Sequence, residues 1–129
     1  MAYVYDDAGQ TRSHKGGWCG VRAVAIATGM QWSDVEKHLR PICKAGKTGG
    51  AISRGIYRED LDTALADLGW VWRAAQHPEG RKARPADLPA GRLIARQSKH
   101  FTAVIDGVVH DTWDCSRKMV YGYWSKPAP

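Results

Sequence analysis

Cys19 stands in the segment Gly16-Gly17-Trp18-Cys19-Gly20, ahead of a run of small apolar residues. Far downstream the chain reads His100-Phe-Thr-Ala-Val-Ile-Asp-Gly-Val-Val-His-Asp111-Thr-Trp113. These residue types can supply a nucleophile, a base and an orienting carboxylate, the set required for acyl transfer through a covalent thioester. A thiol attacks only as thiolate, and two features stabilise that form: the positive end of a helix dipole and a neighbouring imidazolium. The sequence offers both.

The elements that must position these groups can be read from the pattern. A first helix is expected from Trp18 or Cys19 to Thr28. Its surface is apolar all round except for Arg22, which makes it a buried helix, and Gly29 is a good stop. Ser33-Asp-Val-Glu36 has the capping-box pattern, and Val35 and Leu39 share a face. Pro41 is expected to close this second helix ahead of a Gly-rich loop from Lys44 to Gly50. A third helix from Ile56 or Tyr57 to Leu68 carries Leu61, Ala64, Leu65 and Leu68 at helical spacing, with Gly69 as its stop.

Strands follow. Trp70 to Ala74 reads as one, Gln76 to Ala90 as a loop with a turn at Pro85-Ala-Asp-Leu, and Arg92–Arg96, His100–Ile105, Val108–Trp113 and Met119–Trp124 as four more. Their spacing favours an antiparallel meander. Helices first and strands after give an α+β domain with segregated layers, one domain over residues 1–129. The final Lys-Pro-Ala-Pro reads as a loose tail.

Asp106-Gly107 between two apolar runs is a strong hairpin signal, because a type I′ turn needs positive φ at both central positions. A two-residue loop fixes the register: Ile105 with Val108, Val104 with Val109, Ala103 with His110, Thr102 with Asp111 and His100 with Trp113. Alternation then puts His100, Thr102, Asp111 and Trp113 on one face and sends Asp114 and His110 to the other. His100 and Asp111 become diagonal neighbours, about 7–8 Å apart at the backbone and within side-chain reach. Trp113 falls across from His100, where an indole would keep water off the imidazole–carboxylate bond.

Composition sets the frame. The 129 residues are 43% hydrophobic and 25% charged, the make-up of an ordinary globular chain. Apolar runs fall well short of the roughly 18 residues that span a bilayer, and the N-terminus lacks a secretory pattern. A soluble, cytoplasmic protein is therefore expected. Cys19, Cys43 and Cys115 form an odd set without a Cys-x-x-Cys pair, so reduced thiols are the default, and neither a disulfide framework nor a zinc site is suggested. A looser metal set from Cys19, Cys43, His38, His110 and Cys115 lacks ligand-pair spacing. Cys43 and Cys115 read as packing residues, and His14 is an alternative base with no carboxylate at a defined register. The net charge of +6 permits an acidic partner or nucleic acid. However, the densest basic group, Arg73 and Arg81-Lys82-Ala-Arg84, lies in a Pro- and Gly-rich loop and reads as solvated surface.

The motifs around Cys19, His100 and Asp111-Thr-Trp113 resemble the papain-like cysteine peptidases, especially small bacterial and phage-encoded members allied to bacteriocin-processing peptidases. The resemblance covers the order of elements over residues 10–124. It implies a papain-like fold whose central buried helix starts at the cysteine and packs on a C-terminal antiparallel sheet. Asp111-Thr112-Trp113 is similar to the Asn-Ser-Trp segment of papain, with Asp in place of Asn. The family places an oxyanion-hole Gln a few residues before the cysteine, at a position held here by Ser13. The nearest candidate is Gln10, supplemented by the Cys19 backbone N–H.

The function expected on this basis is thiol-dependent acyl transfer on a peptide or protein, most simply as a peptidase or isopeptidase without a cofactor. Deamidase, transglutaminase and acyltransferase chemistry use the same triad. Trp18, beside the nucleophile, is a candidate cleft residue. The alternative is a papain-like scaffold that binds a host protein or nucleic acid as a phage or mobile-element factor.

Overall fold

The computed structural model describes residues 1–11 and 16–128. Three helices pack on a six-stranded mixed sheet, an α+β arrangement. The elements are β1 (Tyr3–Tyr5), α1 (Cys19–Thr28), α2 (Trp32–Ala45), α3 (Arg58–Asp67), β2 (Val71–Ala74), β3 (Arg92–Gln97), β4 (His100–Ile105), β5 (Val108–Asp111) and β6 (Gly122–Ser125), with short 3-10 turns at Ile52–Arg54 and Pro85–Asp87. Among the described residues no helix is long and apolar enough to cross a membrane.

Helix α1 begins at Cys19 and buries Gly20 to Ala27, and Gly29 closes it in the left-handed region at φ 77°. It lies chiefly along β4. Ala23, Val24 and Ala27 join Val35, Leu39, Leu61 and Leu65 of the other helices, and Ile94, Phe101, Ala103 and Trp124 of the sheet, in the main core. On the other face Leu93, Ala95, Val104, Val109 and Tyr123 form a second cluster, roofed by Leu88, Cys115 and Val120 from the loops. Helices cover one side of the sheet and long connections cover the other.

Helix α2 departs from expectation at both ends. It starts at Trp32, and Gln31 at the N-cap makes no side-chain hydrogen bond. Ser33 therefore lies inside the helix and cannot cap it, and the Glu36 carboxylate accepts from Trp32 Nε1 at 2.6 Å and Arg40 Nη2 at 2.8 Å. Pro41 does not end the helix, which runs on to Ala45. A proline in a helix interior costs about 3 kcal/mol. Here Lys37 and Pro41 are exposed, so water can reach the carbonyl left without its donor. Continuing the helix carries Cys43 into the buried stripe of Val35 and Leu39, and that burial offsets the loss.

The sheet order is β1-β5-β4-β3-β6-β2, which is neither a meander nor wholly antiparallel. The N-terminal strand β1 pairs in parallel with β5, Tyr5 beside Asp111. Strand β6 begins at Gly122 and inserts between β3 and β2 rather than beside β5. Residues before it cross the second cluster, with the Val120 N–H donating to the Ala83 carbonyl and the Tyr121 N–H to that of Arg96. Gly122 permits the insertion, since a β-carbon there would collide with the Trp72 ring and the Arg73 carbonyl.

The β4–β5 hairpin has the expected register: Ile105 pairs with Val108, Val104 with Val109 and Ala103 with His110. Asp106 and Gly107 have φ of 50° and 78°, the positive values of a type I′ turn. Strand β5 ends at Asp111, so Trp113 lies in the bend beyond it rather than in a strand facing His100.

Candidate active site

Cys19 is the first residue of α1 and His100 the first of β4, so the helix-on-sheet packing brings both to one end of the layer interface. The first intrahelical bond runs from the Arg22 N–H to the Trp18 carbonyl. The N–H groups of Cys19, Gly20 and Val21 therefore lie in the unpaired first turn, where the dipole is positive.

Asp111 is the hub. Its Oδ2 accepts from His100 Nε2 at 2.8 Å and Thr102 Oγ1 at 2.6 Å, and faces Cys115 Sγ at 3.7 Å. Its Oδ1 accepts from Arg22 Nε at 3.0 Å and the Thr112 N–H at 2.7 Å, with Arg22 Nη2 at 2.8 Å. The whole cluster is buried. Burial favours the neutral carboxyl, but the His100 bond, the Arg22 charge and the Thr102 hydroxyl outweigh it and hold Asp111 below its usual range.

His100 follows the same logic with the opposite sign. Burial opposes its charge, yet hydrogen bonding to Asp111, Cys115 and Cys19 and the Cys19 charge raise its pKa to about 11. With Nε2 committed to Asp111, Nδ1 is the nitrogen open to Cys19. For Cys19 burial pushes the thiol up, while the His100 hydrogen bond and charge, the Phe101 N–H and the Arg22 charge pull it down, and the net shift is downward. Cys43 goes the other way, raised by burial and by Asp60 against the Thr48 hydroxyl. Both shifts act in the direction of a thiolate–imidazolium pair.

The other candidates are placed as follows. The Trp113 ring lies 5.0 Å from that of His100 and is 43% exposed, so it covers the imidazole from the solvent side. Trp18 packs against Trp32 at 5.4 Å, and the cleft walls among the described residues come from elsewhere. The Gln10 N–H donates to the Asp7 carbonyl, and among the described residues no hydrogen bond joins the Gln10 side chain to Cys19 or His100. Ser13 and His14 lie outside the described residues. Asp114 is exposed and accepts from the Ser116 N–H at 3.0 Å, away from His100. His38 is bonded to the Ala64 carbonyl at 2.8 Å.

Two contributors escaped the sequence reading. Arg22, seen only as a break in an apolar helix, neutralises the hub. Cys115, read as packing, touches it. Arg22 has no local signal, since it and Asp111 are 89 positions apart, whereas Cys115 lies only four positions beyond Asp111, past the end of the strand. His100, Asp111 and Cys115 place potential metal-ligand atoms within 4.8 Å of one another. A zinc ion, which sits about 2.0–2.3 Å from each ligand, would have to break the His100–Asp111 bond and share Asp111 with a guanidinium. The donor set suits a hydrogen-bonded hub better than a metal centre.

Gly17 fixes the path of the chain into Cys19. Its φ is 95°, and a β-carbon there would overlap the Ser53 carbonyl oxygen. Gly17→Ala is expected to lower stability by about 1–3 kcal/mol from backbone strain alone, read from the urea midpoint. It should also slow Cys19 alkylation by more than about tenfold by shifting the helix start.

Cys19 and His100 both open onto a cleft of about 390 Å³. No family model, no curated protein and no solved structure matches this chain.

Proposed function

We propose that the chain is a thiol-dependent acyl-transfer enzyme of the papain-like kind, a cysteine peptidase or isopeptidase in which Cys19, His100 and Asp111 form the triad. The observation that carries this reading is the opposed pair of shifts at the mouth of a cleft: a half-buried thiol drawn down beside an imidazole drawn up, with a charged carboxylate behind it. Such perturbed groups meeting in a cleft mark functional sites.

In the proposed cycle Cys19 Sγ attacks the substrate carbonyl carbon. The Cys19 N–H, free in the first helical turn, donates to the developing oxyanion. The C–N bond breaks as His100 gives its Nδ1 proton to the leaving amine, and a thioester remains. His100 then takes a proton from water, whose oxygen displaces the thiolate and releases the acid. Asp111 keeps the ring oriented and charged when required.

The test is product mass. Incubation with a synthetic peptide mixture is expected to give new termini in the wild type and none in Cys19→Ala. Products shifted by about one dalton without cleavage would indicate deamidation. Unchanged peptides from a protein whose Cys19 still alkylates rapidly would favour the binding-scaffold reading.

A further inference from the structure

The cleft beside Cys19 and His100 has a charge that the sequence disperses. Arg54, Arg58, Arg96 and Lys99, from four different segments, all line it, and no acidic residue does so among the described residues. The nearest carboxylate in sequence, Glu59, is turned to Lys47 at 2.8 Å. Among the described residues none of the four cations makes a contact ion pair with a carboxylate, although the Arg58 charge is felt by Glu59. This contrasts with the basic loop that the sequence made conspicuous, where Arg81 is bound by both oxygens of Asp87 at 2.6 and 2.7 Å.

Two of the cations are held in place without being neutralised. The Arg58 guanidinium stacks 4.1 Å from the Trp72 ring centre, and that of Arg96 lies 5.3 Å from Tyr121. Aromatic stacking fixes the plane of a guanidinium and leaves its N–H edge available for a bidentate oxyanion. Cations gathered around a cleft with no acidic residue in its lining concentrate anions there.

Resting on the acyl-transfer reading above, we infer that the substrate is an acidic polypeptide segment, whose Asp or Glu side chains flank the acyl carbon and are received by Arg54, Arg58, Arg96 and Lys99. Polypeptide is favoured over nucleic acid for two reasons. The thiol requires an acyl carbon, which a phosphodiester lacks. In addition, Trp72, Tyr121 and the cleft residue Tyr57 each carry a cation over the ring, at 4.1, 5.3 and 5.7 Å, which leaves less open face for a base to stack on.

The test compares alkylation of Cys19 in the full chain by iodoacetate, an anion, and by neutral iodoacetamide, with free cysteine as reference. The iodoacetate to iodoacetamide rate ratio is expected to exceed that of free cysteine by about tenfold at low salt and to fall as salt is added. His100 contributes to any such preference, so the decisive variant is Arg54→Gln with Lys99→Gln, two exposed positions whose replacement leaves the core untouched. The ratio should drop about fivefold in it. A ratio equal to that of free cysteine, or one unchanged in the double variant, overturns the inference.

Hexaglutamate should protect Cys19 from iodoacetamide. Protection by heptathymidylate but not by hexaglutamate would overturn the choice of polypeptide. Iodoacetamide labelling of Cys19 no faster than of Cys43 would count against the activated thiol instead, while the ratio would still report on the cleft.

Discussion

Asp111→Ala is expected to be the most damaging single substitution in the chain, costing about 3–5 kcal/mol. The carboxylate is 1% exposed and answers donors on both oxygens. Its removal leaves the Arg22 guanidinium without the group that two of its nitrogens face and leaves the buried His100 to shed its proton. Against the roughly 5–15 kcal/mol that ordinary domains possess, this would bring the fold near its limit.

The pH dependence gives a sharper readout. Because the folded pKa of Asp111 is depressed, its contribution is present above the unfolded value of 3.8 and is lost as pH falls through the folded value. His100 is raised, so its contribution is complete below 6.5 and fades as pH rises toward about 11. Urea midpoints of wild type and Asp111→Ala should therefore differ most between the unfolded values of 3.8 and 6.5, shrink slowly as pH rises beyond them and converge in strong acid. A difference that stays constant from neutral pH into strong acid would contradict the ionised hub.

The same hub explains why an amide would serve poorly. Asp111→Asn could still offer an oxygen to His100, but its NH₂ would then face Arg22 and the Thr112 N–H, which are themselves donors. The buried arginine on α1 makes a carboxylate the matching partner.

The second large effect concerns reactivity. In His100→Ala, alkylation of Cys19 by iodoacetamide at pH 7 is expected to fall about 100-fold. Without the imidazole the thiol loses its strongest lowering influence and burial takes over, so its pKa moves back toward or above the ordinary 9.0. The pH at which the rate begins to climb should lie lower in the wild type than in the variant. Cys43, fully buried and with a raised pKa, reports any opening of the fold within each sample. A His100→Ala rate within about threefold of wild type at pH 7 would reject the thiolate–imidazolium pair.

What the sequence revealed and what it concealed divide along chain distance. The Asp106-Gly107 turn specifies its own φ values and so transmits a register to Thr102 and Asp111, both close by. The start of α1 at Cys19 and its stop at Gly29 are equally local. Strand β1 was missed because three residues carry too little periodicity and because its partner lies a hundred positions away. The insertion of β6 depends on Trp124 meeting Trp72 at 4.7 Å and Phe101 at 5.9 Å on the helix side of the sheet, contacts with no local signature. Pro41 shows a local rule outweighed by burial, and the cationic cleft shows charge gathered by folding from scattered positions.

The placement of Arg22 one turn after Cys19 has a consequence for the newly made chain. The helix that begins at Cys19 also supplies the cation that anchors Asp111, while His100 and Asp111 are encoded in the last third of the sequence. During synthesis Cys19 must emerge long before anything can activate it. In the proposed triad its thiol meets His100 only once β4 and β5 have formed and α1 has docked, so the chemistry proposed for it would wait on the completion of folding.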